Sequence, residues 1–119
     1  MRILIVDDSE DTLDMLAMFL ESNDAAVTTA RGGAEALKKA AAEEFDIVLS
    51  DISMPLMDGF EFLRQLRTIP GQQDVPVFAL TGFGRSEDVE RSEKEGFAAH
   101  LTKPLDLDVL IEKLEAYRK

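Results

Sequence analysis

The sequence predicts an α/β domain, a doubly wound five-stranded parallel sheet with helices on both faces. Three observations lead there. Short apolar runs and amphipathic stretches alternate five times along the chain. The central run, Ile47-Val48-Leu49, lacks the polar alternation of a half-exposed strand, as expected of a parallel sheet covered on both faces. Finally, 119 residues are too few for an eight-stranded barrel, so right-handed crossovers leave an open sheet.

Ile3-Leu4-Ile5-Val6 is the first strand, ended by Asp7-Asp8-Ser9, residues that favour caps and turns. Leu13, Leu16, Ala17 and Leu20 then share one face of a helix from about Ser9 to Ser22, with Glu10, Asp11 and Asp14 near its positive end. Ala25 to Thr29 is the second strand. Gly32-Gly33 precedes an alanine-rich helix with Ala34, Leu37, Ala40 and Ala41 on its stripe, running to about Glu44. The central strand follows and gives way to a loop at Asp51. Met54 to Gly59 is that loop, and Phe62, Leu63 and Leu66 mark a third helix that Pro70-Gly71 ends.

Val75 to Leu80 is the fourth strand, with Pro76 at its beginning because proline cannot donate to a ladder. Thr81-Gly82-Phe83-Gly84 is a flexible loop. The fourth helix, Arg85 to Glu95, is nearly all charged, with Val89 its one large apolar residue. A helix with so little to bury opens readily, which suits an adjustable surface. Phe97 to Leu101 is the fifth strand, Thr102-Lys103-Pro104 the last loop, and Leu107, Leu110, Ile111 and Leu114 stripe the final helix.

The length fits one domain, residues 1–119, with no output domain beside it. A formal net charge of −11 repels phosphate backbones and anionic lipid, which disfavours nucleic acid and membrane surfaces and favours a cation or basic partner. Only four apolar residues separate Arg2 from Asp7, so no signal peptide or spanning segment is expected. With no cysteine there is no disulfide framework, and a cytoplasmic setting follows by default.

Parallel sheets place their ligands at the carboxyl ends of their strands. Asp7 and Asp8 follow the first strand, Asp51 the third, Thr81 the fourth and Lys103 the fifth, so all converge on one edge. Three carboxylates gathered there repel one another and invite a divalent cation; an oxygen-only donor set points to Mg²⁺, which keeps waters and leaves a position for a phosphoryl oxygen. Lys103 offers a point charge to such a group and Thr81 a hydroxyl donor. Each residue also has a plainer role open to it. Asp7, Asp8 and Ser9 fit helix capping, Asp51 a turn, Thr81 a hydroxyl bonded to backbone, and Lys103 a solvated lysine.

Val6-Asp7-Asp8, Leu49-Ser50-Asp51-Ile52-Ser53-Met54-Pro55 with Met57-Asp58-Gly59, Leu80-Thr81-Gly82 and Thr102-Lys103-Pro104, in this order at successive strand ends, resemble a response-regulator receiver domain over nearly the whole chain. The resemblance implies a flavodoxin-like fold with strand order 2-1-3-4-5. It also implies phosphoryl transfer from a histidine kinase or histidine phosphotransfer domain to Asp51. Asp8 would hold Mg²⁺ directly and Asp7 largely through water, with Asp51 and the Ser53 carbonyl as further ligands; Lys103 and Thr81 would hold phosphoryl oxygens. A cis bond before Pro104 is implied too. A downstream protein partner would read the face of the fourth helix, fifth strand and fifth helix. Ser53 and Phe83, each two residues beyond a site residue, would set the dephosphorylation rate.

The chain departs from the family at His100, three positions before Lys103, where receivers commonly carry an aromatic switch residue. Its loops after the fourth and fifth strands are similar to those of receivers attached to hybrid sensor kinases. Two rivals compete with a self-phosphorylating switch. A phosphohydrolase of the haloacid dehalogenase type needs a second aspartate two residues after the nucleophile, where this chain has Ser53. An interaction module without the chemistry would lack a carboxylate or the lysine, and none is lacking.

Overall fold

The computed structural model describes residues 1–82 and 86–117. Strands and helices alternate as β1 (Arg2–Val6), α1 (Glu10–Glu21), β2 (Ala26–Ala30), α2 (Gly33–Ala42), β3 (Ile47–Asp51), α3 (Gly59–Leu66), β4 (Val77–Thr81), α4 (Ser86–Glu95), β5 (Ala99–Thr102) and α5 (Leu107–Glu115). The five strands form one parallel sheet in the order β2-β1-β3-β4-β5. This is the flavodoxin-like arrangement that the resemblance implied.

Alternate side chains of the inner strands feed two cores. Ile3, Ile5, Ile47, Leu49, Phe78 and Leu80 point to the face covered by Leu13, Leu16 and Leu20 of α1 and Leu110 and Leu114 of α5. Leu4, Val6, Val48, Val77 and Ala79 point to the other, under Ala36 and Ala40 of α2 and Phe60, Phe62, Leu63 and Leu66 of α3. Each large side chain fully buried in this way is worth about 1.5 to 3 kcal/mol. Helix α4 has no such anchor. Among its described side chains only Ser92 is buried, while Val89 is half-buried.

Local chemistry sets the boundaries, and several differ from expectation by one or two residues. Ser9 caps α1, accepting from the Thr12 N–H at 3.3 Å, and Asp58 caps α3, accepting from the Glu61 N–H at 2.9 Å. Helix α2 stops at Ala42 rather than Glu44. Buried Gln72 meets it there, its Nε2 donating to the carbonyls of Ala40 and Glu43 at 2.9 and 3.0 Å, groups that the helix end leaves unpaired. Strand β4 begins only at Val77, because Pro76 enters the ladder solely as an acceptor, from the Val48 N–H at 3.0 Å. Strand β5 starts at Ala99 rather than Phe97, because the Phe97 N–H turns back to the Ser92 carbonyl at 3.0 Å. Gly96, at φ 104°, makes that reversal, closing α4 with a left-handed residue.

Candidate functional site at the carboxyl edge of the sheet

Asp7 is the first residue beyond β1, fixed by its N–H to the Ala30 carbonyl at 3.1 Å, and its side chain is fully buried. A buried carboxylate needs partners, and Asp7 has two: the Ser9 N–H on Oδ1 at 2.8 Å and the Lys103 ammonium on Oδ2 at 2.8 Å. Asp51 closes β3, 6% exposed. Its Oδ1 accepts from the Ser53 N–H at 3.0 Å and its Oδ2 from Lys103 Nζ at 3.2 Å. Lys103 is itself set by its N–H to the Thr81 carbonyl at 2.8 Å, and the bond to Pro104 is cis.

Asp8 is exposed, yet one oxygen from each of Asp7, Asp8 and Asp51 lies within 4.8 Å of the others. Ser9 supplies the side-chain cap of α1, so neither aspartate before it is needed for that bond. Thr81 is buried at the end of β4, but its hydroxyl donates to the Leu101 carbonyl at a long 3.4 Å. Ser53 is exposed and reaches Asp51 through its backbone N–H. His100 is half-buried on β5, an edge strand, in register with Ala79. Phe83 lies outside the described residues.

Burial is the largest influence on Asp51 and raises its pKa above the ordinary carboxylate value; the Asp7 charge adds to that, while Lys103 and the Ser53 N–H oppose it. Burial pulls Lys103 the other way, but its hydrogen bond to Asp7 and the charges of Asp51 and Asp7 leave it raised overall. The asymmetry between the two is physical: Lys103 is held by two carboxylates, whereas Asp51 shares that ammonium with Asp7. Three carboxylates against one ammonium leave the edge negative. The donor set is all oxygen with one open, exposed member, which fits a hard divalent cation of the Mg²⁺ kind.

Two residues that the sequence reading quoted in its motifs, Gly59 and Ser50, were given no role there. A β-carbon on Gly59 would lie 2.5 Å from the Asp51 carbonyl oxygen, so only glycine lets α3 start against the end of β3, where the Gly59 N–H bonds the Ile52 carbonyl at 2.8 Å. Ser50, fully buried, donates its hydroxyl to the same Asp51 carbonyl at 3.0 Å. The Asp-Gly pair before an apolar run was the available signal for the first; nothing in the sequence pattern marks the second.

The family profile described as response regulator receiver domain matches residues 3–115. An uncharacterised 14.6 kDa protein of Leptolyngbya boryana is 41% identical over 98% of this chain and 89% of its own length. The sensor kinase/phosphatase CqsS of Vibrio cholerae is 32% identical over 98% of this chain, which spans only 17% of that protein. Among solved structures, the chemotaxis protein CheY4 of Vibrio cholerae superposes with a TM-score of 0.91 at 32% identity, covering 98% of both chains. Among the described residues no helix is long and apolar enough to cross a membrane. The chain belongs to the response regulator receiver domains of two-component systems.

Proposed function

We propose that Asp51 is the phosphoacceptor and that the chain, as a single receiver unit, is a switch set by its phosphorylation. Receiver domains are signalling domains rather than conventional enzymes, so the chemistry proposed is self-catalysed transfer onto and off one side chain. The observation that carries it is the shared lysine: Lys103 Nζ contacts both Asp7 and Asp51, holding the Asp51 carboxylate at the sheet edge with Oδ1 tied to the Ser53 N–H. A carboxylate oxygen of Asp51 forms the new P–O bond while the donor's P–N bond breaks, its electron pair staying on the imidazole nitrogen. Lys103 would then stabilise charge on the transferring group, and Thr81, whose hydroxyl bond to Leu101 is long, would turn that hydroxyl toward a phosphoryl oxygen.

Asp8, Asp7, Asp51 and the Ser53 carbonyl would hold Mg²⁺, which when bound neutralises phosphoryl charge. The donor is a phosphohistidine of a histidine kinase or histidine phosphotransfer domain, met in the cytoplasm. Its kinship to receivers carried on a sensor kinase supports that reading. Rotation of Thr81 toward the phosphoryl group would draw on the adjoining backbone at Gly82, and α4, lacking apolar anchors, is the element best able to follow. A downstream protein partner would then read the α4–β5–α5 face, with His100 in the middle of it.

Incubation with acetyl phosphate and Mg²⁺ followed by intact-mass measurement tests the assignment. One phosphoryl group is expected on the wild type and none on Asp51→Asn. Equal phosphorylation of both would remove Asp51 from its role.

A further inference from the structure

Helix α4 is bound to its neighbour by charge instead of apolar packing. The Arg91 guanidinium sits 3.9 Å over the ring centroid of Phe60, and its Nε donates to Glu95 at 3.3 Å. The Glu95 carboxylate also takes Arg64 of α3 at 3.1 Å, and Arg64 is held in turn by Glu61 at 3.0 Å. Phe60 is itself fixed from below by an edge-to-face contact with Phe97, centroids 5.8 Å apart. Exposed ion pairs of this kind are individually weak. Here they have little apolar competition, since the described part of α4 buries no hydrophobic side chain and Val89 is only half-buried.

The other end of this chain of contacts is the site. Phe60 follows Gly59, whose backbone abuts the Asp51 carbonyl with no room for a β-carbon. A movement of the Asp51 backbone is therefore passed to the first turn of α3, and so to the ring under Arg91. We propose that Arg91 and Glu95, with Phe60 and Arg64, form a polar clamp that holds α4 in its resting position and ties it to the backbone of Asp51 through the start of α3. This is a second connection besides the one through Thr81. The clamp stands without any phosphorylation; the tie to Asp51 rests on the switch reading above.

Hydrogen exchange on the full chain separates the two. Without a phosphoryl mimic, Arg91→Gln is expected to speed exchange across residues 86–95 about tenfold, equivalent to about 1.4 kcal/mol, with α1 unchanged and Arg91→Lys giving a smaller effect. Glu95→Gln should act in the same direction. High salt should speed α4 in the wild type and do less in Arg91→Gln, where one of the screened cations is gone and the Arg64–Glu95 pair remains. Unchanged α4 exchange in both variants, or equal acceleration in every element, overturns the clamp. With beryllofluoride and Mg²⁺, the wild type should show faster α4 exchange and Arg91→Gln a smaller gain, the part carried through Thr81. A wild type that does not respond would reject the switch reading and leave the clamp; a variant that responds in full would reject the tie through α3.

Discussion

A β-carbon on Gly59 would come within 2.5 Å of the Asp51 carbonyl oxygen and 2.8 Å of the Ile52 α-carbon. Both are backbone atoms, one closing the central strand β3 and the other a buried residue just beyond it, so neither yields cheaply. Gly59→Ala is expected to cost about 1 to 3 kcal/mol of stability and to slow phosphorylation of Asp51, because α3 must back away from the residue it abuts. Gly32→Ala is the control, since a β-carbon there meets nothing within 4 Å. Urea melts of the two variants, with rates of acetyl phosphate labelling, check this; equal effects of both substitutions would contradict it.

The same crowding of charge makes a pH prediction. Asp51 has a pKa raised above its ordinary value of 3.8, chiefly by burial, so its ionised form is a cost to the folded state. That cost is fully present above the raised pKa and is relieved as pH falls through it toward 3.8. Asp51→Asn should therefore stabilise the metal-free protein at neutral pH, on the order of 1 kcal/mol, with the gain shrinking as pH falls. Lys103 runs oppositely: its raised pKa contributes stability that is complete below 10.5 and lost as pH climbs through the folded value. Denaturation midpoints of both proteins across the acid range, taken in EDTA, test the first claim. A constant difference down to pH 3 would exclude it.

How legible this was depended on the kind of force involved. Buried strands announce themselves through apolar runs, so β1, β3 and β4 and the carboxylates and lysine at strand ends were readable from Ile3 to Val6, Ile47 to Leu49 and Val75 to Leu80. Boundaries were not, because they are settled by single long-range bonds such as Gln72 Nε2 on the end of α2 and the Phe97 N–H on Ser92. The Lys103 contact with Asp7 was equally hidden, for it joins residues 96 apart in sequence. The Arg91–Phe60 stack escaped for a different reason: a charged helix reads as solvated surface, and periodicity says nothing about which guanidinium finds a ring.

Asp8 is the exposed member of the acidic cluster and makes the metal prediction clean. Asp7 and Asp51 are already engaged by Lys103, so their removal would disturb a buried network, whereas Asp8→Ala removes a donor that water already surrounds. Mg²⁺ affinity should fall at least about tenfold while stability stays level or rises slightly as like-charge repulsion is relieved. A Mg²⁺ titration followed by heteronuclear NMR shifts at Asp51 and Lys103, beside thermal melts, reads both. Undiminished affinity would take Asp8 out of the ligand set.

Loss of the phosphoryl group needs a water held in line with the bond to Asp51, and the two positions expected to hold or exclude that water are Ser53 and Phe83. Ser53 is exposed beside the acceptor, and its backbone N–H is committed to Asp51 Oδ1. Its side chain is short, with a hydroxyl that reaches the near side of a phosphoryl group more readily than the far side where the water must sit. Phe83 neither donates nor accepts a conventional hydrogen bond. Together they offer the attacking water little to lean on. Self-dephosphorylation is therefore expected to be slower than with an amide and a carboxylate at these positions, by about one order of magnitude, or about 1.4 kcal/mol of barrier. Ser53→Asn and Phe83→Glu should each shorten the lifetime of the aspartyl phosphate, and the double variant should shorten it most. Phosphoryl loss measured by intact mass after removal of the donor decides the matter: the same lifetime in all four proteins would mean that Phe83 only packs and that water reaches the phosphorus by a path neither side chain controls.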